Sequence, residues 1–290
     1  MIKFPTNTQL IENTFPFLIA EIGINHNGDL SLAKKLISAA KSSGFNAVKF
    51  QKRTVEVVYT SEELDKPRES IYGSTNRDLK LGLEFDKEEY LEIDEYCKSI
   101  SMLWFASPWD SQSVDFLEQF NIPVYKIASA CLTDSKLLEK IKLTGKPVIL
   151  STGMSTMEQV NSAINILDRS KTSLLHCVST YPAENSDLNL EVINTLRESF
   201  KLPVGYSGHE RGVLPSVIAV ASYKASIIER HITLDRSMWG SDQAASLEPQ
   251  GMHKLVKYIN ESIESRGNRN KVVLDSELPV LQKLRRISDF

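Results

Sequence analysis

The sequence predicts a (β/α)8 TIM barrel, folded as a single α/β domain across residues 1–290. Three observations carry that expectation. Short apolar runs alternate with longer amphipathic ones about eight times. Polar residues stand at the carboxyl ends of nearly all the apolar runs, where a barrel places its active site. The length of 290 residues suits one barrel rather than two domains.

The elements follow in order. Strands are predicted at 17–23, 46–51, 102–107, 123–128, 147–151, 172–177, 202–206 and 226–231. Buried on both faces, they read as near-continuous apolar runs. Helices are predicted between them, at 31–43, 86–101, 111–119, 135–143, 156–167, 189–200 and 214–223. A last helix, 252–265, follows the eighth strand. In the first helix Leu32, Ala33, Leu36, Ala39 and Ala40 share one face and Gly44 closes it. Asp86 with Glu89 resembles a capping box. Pro215 falls near a helix start, where it is tolerated. About eight such units favour closure over an open sheet.

Two stretches break the rhythm. Residues 52–82 form a long, charged segment after the second strand, read as an extended active-site loop that covers substrate. Residues 233–250 follow the eighth strand. The tail from about 270 to 290 has no strand pattern and is expected to pack on the barrel.

Composition narrows the function classes. The chain is 41% hydrophobic and 24% charged, with a net charge of −3, so nothing points to nucleic acid or to an anionic membrane surface. The opening residues, 1–12, lack the regions of a signal peptide, and no run reaches membrane-spanning length. The expectation is a cytoplasmic protein. Cys97, Cys131 and Cys177 have no disulfide or zinc spacing and read as buried thiols.

The strand ends carry the chemistry. Alternation lets Lys49 and Gln51 both face inward, and likewise Glu229 and His231. Lys49 and Lys126 make an anion site, helped by the hydroxyls of Ser107, Ser129, Ser151 and Thr152 and by the Gly153 N–H. His209 and His231 stand at one rim on adjacent strands. With a carboxylate, the pair suits a borderline divalent ion such as Mn²⁺ or Zn²⁺. His176 reads as a packing residue and His253 as a solvated one. His26 fits either role. Cys177 has no base placed beside it and reads as a small core residue.

Several strings resemble the phosphoenolpyruvate-condensing sialic acid synthase (N-acetylneuraminate synthase) family. They are AEIGINHNG (20–28), VKFQ (48–51), YKIAS (125–129), LSTGMS (150–155), GYSGHE (205–210), ERHITLD (229–235) and GSDQAASLEP (240–249). Their joint order along one chain is far more specific than any one of them. GYSGHE and GSDQAASLEP look like the animal-type synthases that use a phosphorylated amino sugar.

The resemblance implies a set of roles. His209 and His231 bind the divalent metal, Mn²⁺ first, with Mg²⁺ or Co²⁺ as alternatives. Lys49, Lys126, Ser129, Ser151 and Ser207 hold phosphoenolpyruvate, with Ser107 and Ser179 nearby. Ser179 stands where many bacterial members carry Asn. Glu21 acts at the reacting centre. Gln51, Tyr181 and Asp242 contact the aldose, and the segment with Tyr72 covers it. The implied product is a 2-keto-3-deoxy sugar acid, and the implied assembly a homodimer. Many members continue into a small antifreeze-like domain, and this sequence stops at Phe290, about where that domain would begin. Two other functions fit the strand-end residues: a Schiff-base aldolase using Lys49 or Lys126, and a barrel that binds sugar without catalysis.

Overall fold

The structure is a computed structural model, and it describes residues 3–12 and 15–287. Eight parallel strands form its centre. They are β1 (Phe17–Gly23), β2 (Ala47–Lys52), β3 (Leu103–Pro108), β4 (Tyr125–Ile127), β5 (Val148–Ser151), β6 (Thr172–His176), β7 (Val204–Gly208) and β8 (Ile227–His231). Their order in the sheet is β3-β2-β1-β8-β7-β6-β5-β4. The end strands β3 and β4 lie side by side, which closes the ring. Helices cover the outside, and each predicted strand and helix has its counterpart within a few residues.

Local chemistry explains the helix starts. Asp29 accepts from the backbone N–H groups of Ser31 and Leu32 at the head of Leu30–Ser43. Gly44 ends that helix at φ 92°, a conformation only glycine adopts without strain. Asp86 and Glu89 form a full capping box at Lys87–Ser99, and Thr156 with Gln159 does the same at Met157–Ile166.

The core is one continuous layer between strands and helices, built from residues such as Leu18, Ile19, Ile37, Val48, Ile141, Leu174 and Ile228. Alternation sends every second strand residue inward to the barrel axis. On β8, Glu229 and His231 point in while Arg230 points out. Buried completely, Arg230 meets Glu210 Oε1 at 2.8 Å, Gly212 O at 2.8 Å and Ser216 Oγ at 3.0 Å. Tyr206 donates to the other oxygen of Glu210 at 2.7 Å. This network pins the turn after β7, which carries His209.

Two expectations change. Residues 52–82 are not an irregular loop. They contain the short helices Val55–Val58 and Ser61–Leu64, the hairpin strands Pro67–Ser70 and Gly73–Thr75, and the helix Asn76–Gly82. Their apolar residues are too widely spaced for periodicity to reveal them, and local caps such as Thr75 with Asp78 hold them instead. The tail does not pack on the barrel. Residues 270–280 and 282–287 are exposed, and its helix Leu278–Leu284 has no buried residue. Residues 288–290 lie outside the described residues.

Candidate active site

A cavity of about 190 Å³ opens at the carboxyl ends of the strands. Its floor is charged. Lys49 and Glu21 are register partners on β2 and β1, and Lys49 Nζ lies 2.8 Å from Glu21 Oε2. Lys49 also donates to Ser107 Oγ at 3.0 Å. Lys126 donates to Ser151 Oγ at 2.6 Å. Glu229 lies between the two lysines, with Oε1 3.8 Å from each ammonium. Ser207 donates to the same oxygen at 3.3 Å.

Burial sets the protonation of this floor. It pushes Glu21 up to about 7 even though Lys49 opposes it, and Glu229 adds to the rise. Burial also raises Glu229, but Lys126 and Lys49 outweigh it and hold that carboxyl below its usual range. The pair therefore divides into a carboxylate that stays ionised and a carboxyl poised to exchange a proton near neutrality. Burial lowers Lys126, with Glu229 opposing.

The β5 end makes a cradle. A Cβ on Gly153 would meet Ser179 Oγ at 2.3 Å, Ser129 Oγ at 2.9 Å and Cys177 Sγ at 3.0 Å. Three polar side chains thus converge where only glycine leaves room. The Gly153 N–H is already engaged by Ser129 Oγ at 3.1 Å.

The rim carries the histidines. His209 and His231 have ring centroids 5.6 Å apart, and Tyr181 lies over His209 at 4.1 Å. His209 Nδ1–H donates to Val178 O at 2.6 Å, which leaves Nε2 with a free lone pair. Burial lowers His209 to about 4, helped by His231. His231 is lowered too, by burial first, against the pull of Asp242. Both are neutral imidazoles, the form that binds metal. Buried His231 Nδ1 has no hydrogen-bond partner and faces Asp242 Oδ2 at 3.6 Å. Among the described residues, no three His, Cys, Asp or Glu side chains form a closed metal cage. His209 and His231 are the residues here that could hold a divalent ion, His209 through its free Nε2 and His231 through its unpartnered Nδ1.

Most of the sequence-predicted residues meet at this cavity. Glu21, Lys49, Gln51, Ser107 and Lys126 line it, as do Ser129, Ser151 and Ser179. So do Tyr181, Ser207, His209 and His231. Three do not. Thr152 turns its hydroxyl to Leu175 O at 3.0 Å, since it follows inward-facing Ser151 and so points the other way. Tyr72 packs against Gly28 and Gly82 and donates to Asn27 O, so it braces the turn after β1 instead of the cavity wall. Asp242 is not part of the cavity lining but stands beside it, next to His231 and Gly23.

Other residues were missed. Parity turns Glu229 inward, and only the structure sets it between the two lysines. Cys177 lines the cavity 3.1 Å from Ser129 Oγ instead of filling the core. Trp109 lines the mouth, and its parity with Ser107 was the available signal. The other histidines are structural. His26 stacks on Phe85 at 4.1 Å and burial lowers it to about 3. Buried His176 is bonded to Leu188 O, and exposed His253 to Pro249 O.

Fold and site define an enzyme, a carbon–carbon bond-forming transferase of the sialic acid synthase class. The chain belongs to the NeuB family, whose sequence profile matches residues 36–271. The N-acetylneuraminate-9-phosphate synthase of Homo sapiens is 37% identical over 273 residues, 92% of this chain and 76% of that one. The N,N'-diacetyllegionaminic acid synthase of Legionella pneumophila is 38% identical over 280 residues, 93% of this chain and 78% of that one. The crystal structure of N-acetylneuraminic acid synthetase from Leptospira borgpetersenii superposes with a TM-score of 0.80 at 34% identity. It covers 95% of this chain and 94% of that one.

Among the described residues, no helix is long and apolar enough to cross a membrane.

Proposed function

We propose that this chain condenses phosphoenolpyruvate with an N-acetylmannosamine-like aldose or its 6-phosphate. The products are a sialic-acid-like 2-keto-3-deoxy sugar acid and phosphate. The observation that carries the reading is the charged floor: two buried lysines, each bonded to a serine hydroxyl, beneath a rim of two neutral histidines.

Each part has a task. Lys49 and Lys126 neutralise the phosphate and carboxylate of phosphoenolpyruvate in a site withdrawn from bulk water. Ser107, Ser129, Ser151 and Ser207 orient those oxygens. Phosphoenolpyruvate C3 then forms a bond to the aldehyde carbon of the aldose, whose oxygen takes up the proton that the added water releases, while the second water proton leaves with the phosphate. Water adds at C2, and the tetrahedral adduct breaks its C–O bond to release phosphate. Glu21, poised near neutrality, takes the proton from that water. Holding both reactants in one cavity supplies much of the rate. His209 and His231 would hold the divalent metal, Mn²⁺ first among candidates. The chemistry it supplies when bound is Lewis-acid polarisation of the aldose carbonyl.

The test is phosphate release by metal-loaded protein given phosphoenolpyruvate and a panel of aldoses. The panel holds N-acetylmannosamine, its 6-phosphate, mannose and mannose 6-phosphate. Aldose-dependent release with a matching keto acid supports the reading, and silence with every aldose overturns it. The lowered Lys126 favours one competitor, an aldolase working through an amine. Its two hydrogen bonds, to Ser151 Oγ and Ile127 O, oppose that use. Borohydride trapping with pyruvate separates the two, since only the amine mechanism leaves a labelled lysine.

A further inference from the structure

We infer that Arg53 and Trp109 form the subsite that reads the distal end of the aldose. They do so by donating hydrogen bonds to an acceptor oxygen remote from the reacting carbon. The inference rests on the condensation reading above.

Lys49, Gln51 and Arg53 alternate along β2 and the residue beyond its end, so all three take the inward parity. At about 3.3 Å per residue, Arg53 stands roughly 13 Å above Lys49. If phosphoenolpyruvate sits on the lysines, the aldehyde carbon lies just above it. The rest of the aldose then extends toward the part of the wall formed by Gln51 and Trp109, with Arg53 packed directly against both.

Arg53 is held but not satisfied. Its guanidinium donates to Gln51 Oε1, reaches Glu84 Oε1 at 3.5 Å and lies 4.2 Å from the Trp109 ring centroid. Its side chain is 10% exposed. Arg53 Nε and Trp109 Nε1 are both buried, and neither has a hydrogen-bond partner. Two orphaned donors on touching side chains are costly unless an acceptor arrives, because buried polar groups are nearly always paired. Trp109 is itself part of the cavity wall, and Gln51, which Arg53 orients, is too. A ligand oxygen at the Trp109 wall would supply that acceptor. A planar guanidinium beside an indole N–H suits an N-acyl carbonyl or a phosphate ester, the chemistry these two groups share.

The experiment compares wild type with Arg53→Ala, Arg53→Lys and Trp109→Phe, measuring KM for each substrate across the same aldose panel. Arg53→Ala should raise the aldose KM by about 10- to 150-fold for the sugar bearing the recognised group, the worth of a charged hydrogen bond. Its KM for phosphoenolpyruvate should change less than about twofold, and the rise in KM for plain mannose, which lacks the recognised group, should be several-fold smaller than the rise for the recognised sugar. Arg53→Lys and Trp109→Phe should give smaller losses of the same discrimination. If the loss appears with N-acylated sugars the oxygen is a carbonyl, and if with 6-phosphates it is a phosphate. An equal loss toward all four sugars would make Arg53 a prop for Gln51 and overturn the inference, as would an unchanged aldose KM. Should Arg53→Ala fail to fold, the other two variants decide by the same pattern. A wild type silent with every aldose refutes the condensation reading instead.

Discussion

Glu21 and Lys49 are direct register partners on adjacent strands, and their charged atoms meet at 2.8 Å in a buried site. Gln51 Nε2 holds the second oxygen of Glu21 at 2.7 Å, and Arg53 in turn holds Gln51. A single chain of contacts therefore runs from the floor of the cavity to its rim.

The first consequence is a pH dependence of stability. Glu21 is raised from 4.5 to about 7, so the folded state keeps its proton longer than the unfolded chain does. Its contribution is fully present below about pH 4.5 and is lost as the pH rises through about 7. Glu21→Gln cannot titrate. Thermal unfolding at pH 5 and pH 8 should show wild type losing more stability than Glu21→Gln over that interval. Parallel losses in the two proteins would refute a raised Glu21.

The same group shapes activity. If Glu21 accepts the proton of the attacking water, kcat/KM should rise with pH through an apparent pKa near 7. A profile flat from pH 5.5 to 8.5 would remove Glu21 from that role.

Lys126 binds through its charge. Lys126→Ala should weaken phosphoenolpyruvate binding about 10- to 150-fold, as expected for a lost charged hydrogen bond. Lys126→Arg should recover part of it. Calorimetric titration of phosphoenolpyruvate reads this directly, and undiminished affinity in the alanine variant would be incompatible with the anion site.

The histidine pair should govern metal content. Extensive chelation is expected to abolish phosphate release and Mn²⁺ to restore it. His209→Ala and His231→Ala should each lose Mn²⁺ binding in an equilibrium titration, a readout independent of turnover. Full activity after chelation and dialysis would argue against any metal role.

Arg230 and Glu210 form a fully buried ion pair that fixes the turn carrying His209. Arg230→Ala leaves the Glu210 carboxylate buried and unpaired. It should cost about 3–5 kcal/mol of unfolding free energy. A loss below 1 kcal/mol in denaturant titration would show that the turn is held some other way.

Much of this was legible in the residues. Strand and helix positions follow from local apolar periodicity, and the inward side of Lys49, Gln51, Glu229 and His231 follows from parity, which needs no tertiary information. The family strings identify most of the cavity residues for the same reason, since they sit at strand ends. Thr152, which follows inward-facing Ser151, takes the outward parity and bonds Leu175 O instead of joining the cluster of hydroxyls. The position of Tyr72 depends on how the segment 52–82 folds back, which the residues alone do not show, because that segment is held by caps and single contacts instead of a periodic core.

The sequence by itself therefore determined the alternation of strands and helices, the direction of each strand side chain and the set of charged groups available to the site. Only the tertiary structure decided which of those groups meet. Closure of the sheet sets β1 between β2 and β8, and so places Glu21 against Lys49 and beside His231. It also lodges Glu229 between lysines from β2 and β4, and stacks Arg53 on a tryptophan from the end of β3. Periodicity is a property of neighbours along the chain, whereas these partners are 28 to 210 residues apart and meet only through strand register and burial, which also fix their protonation.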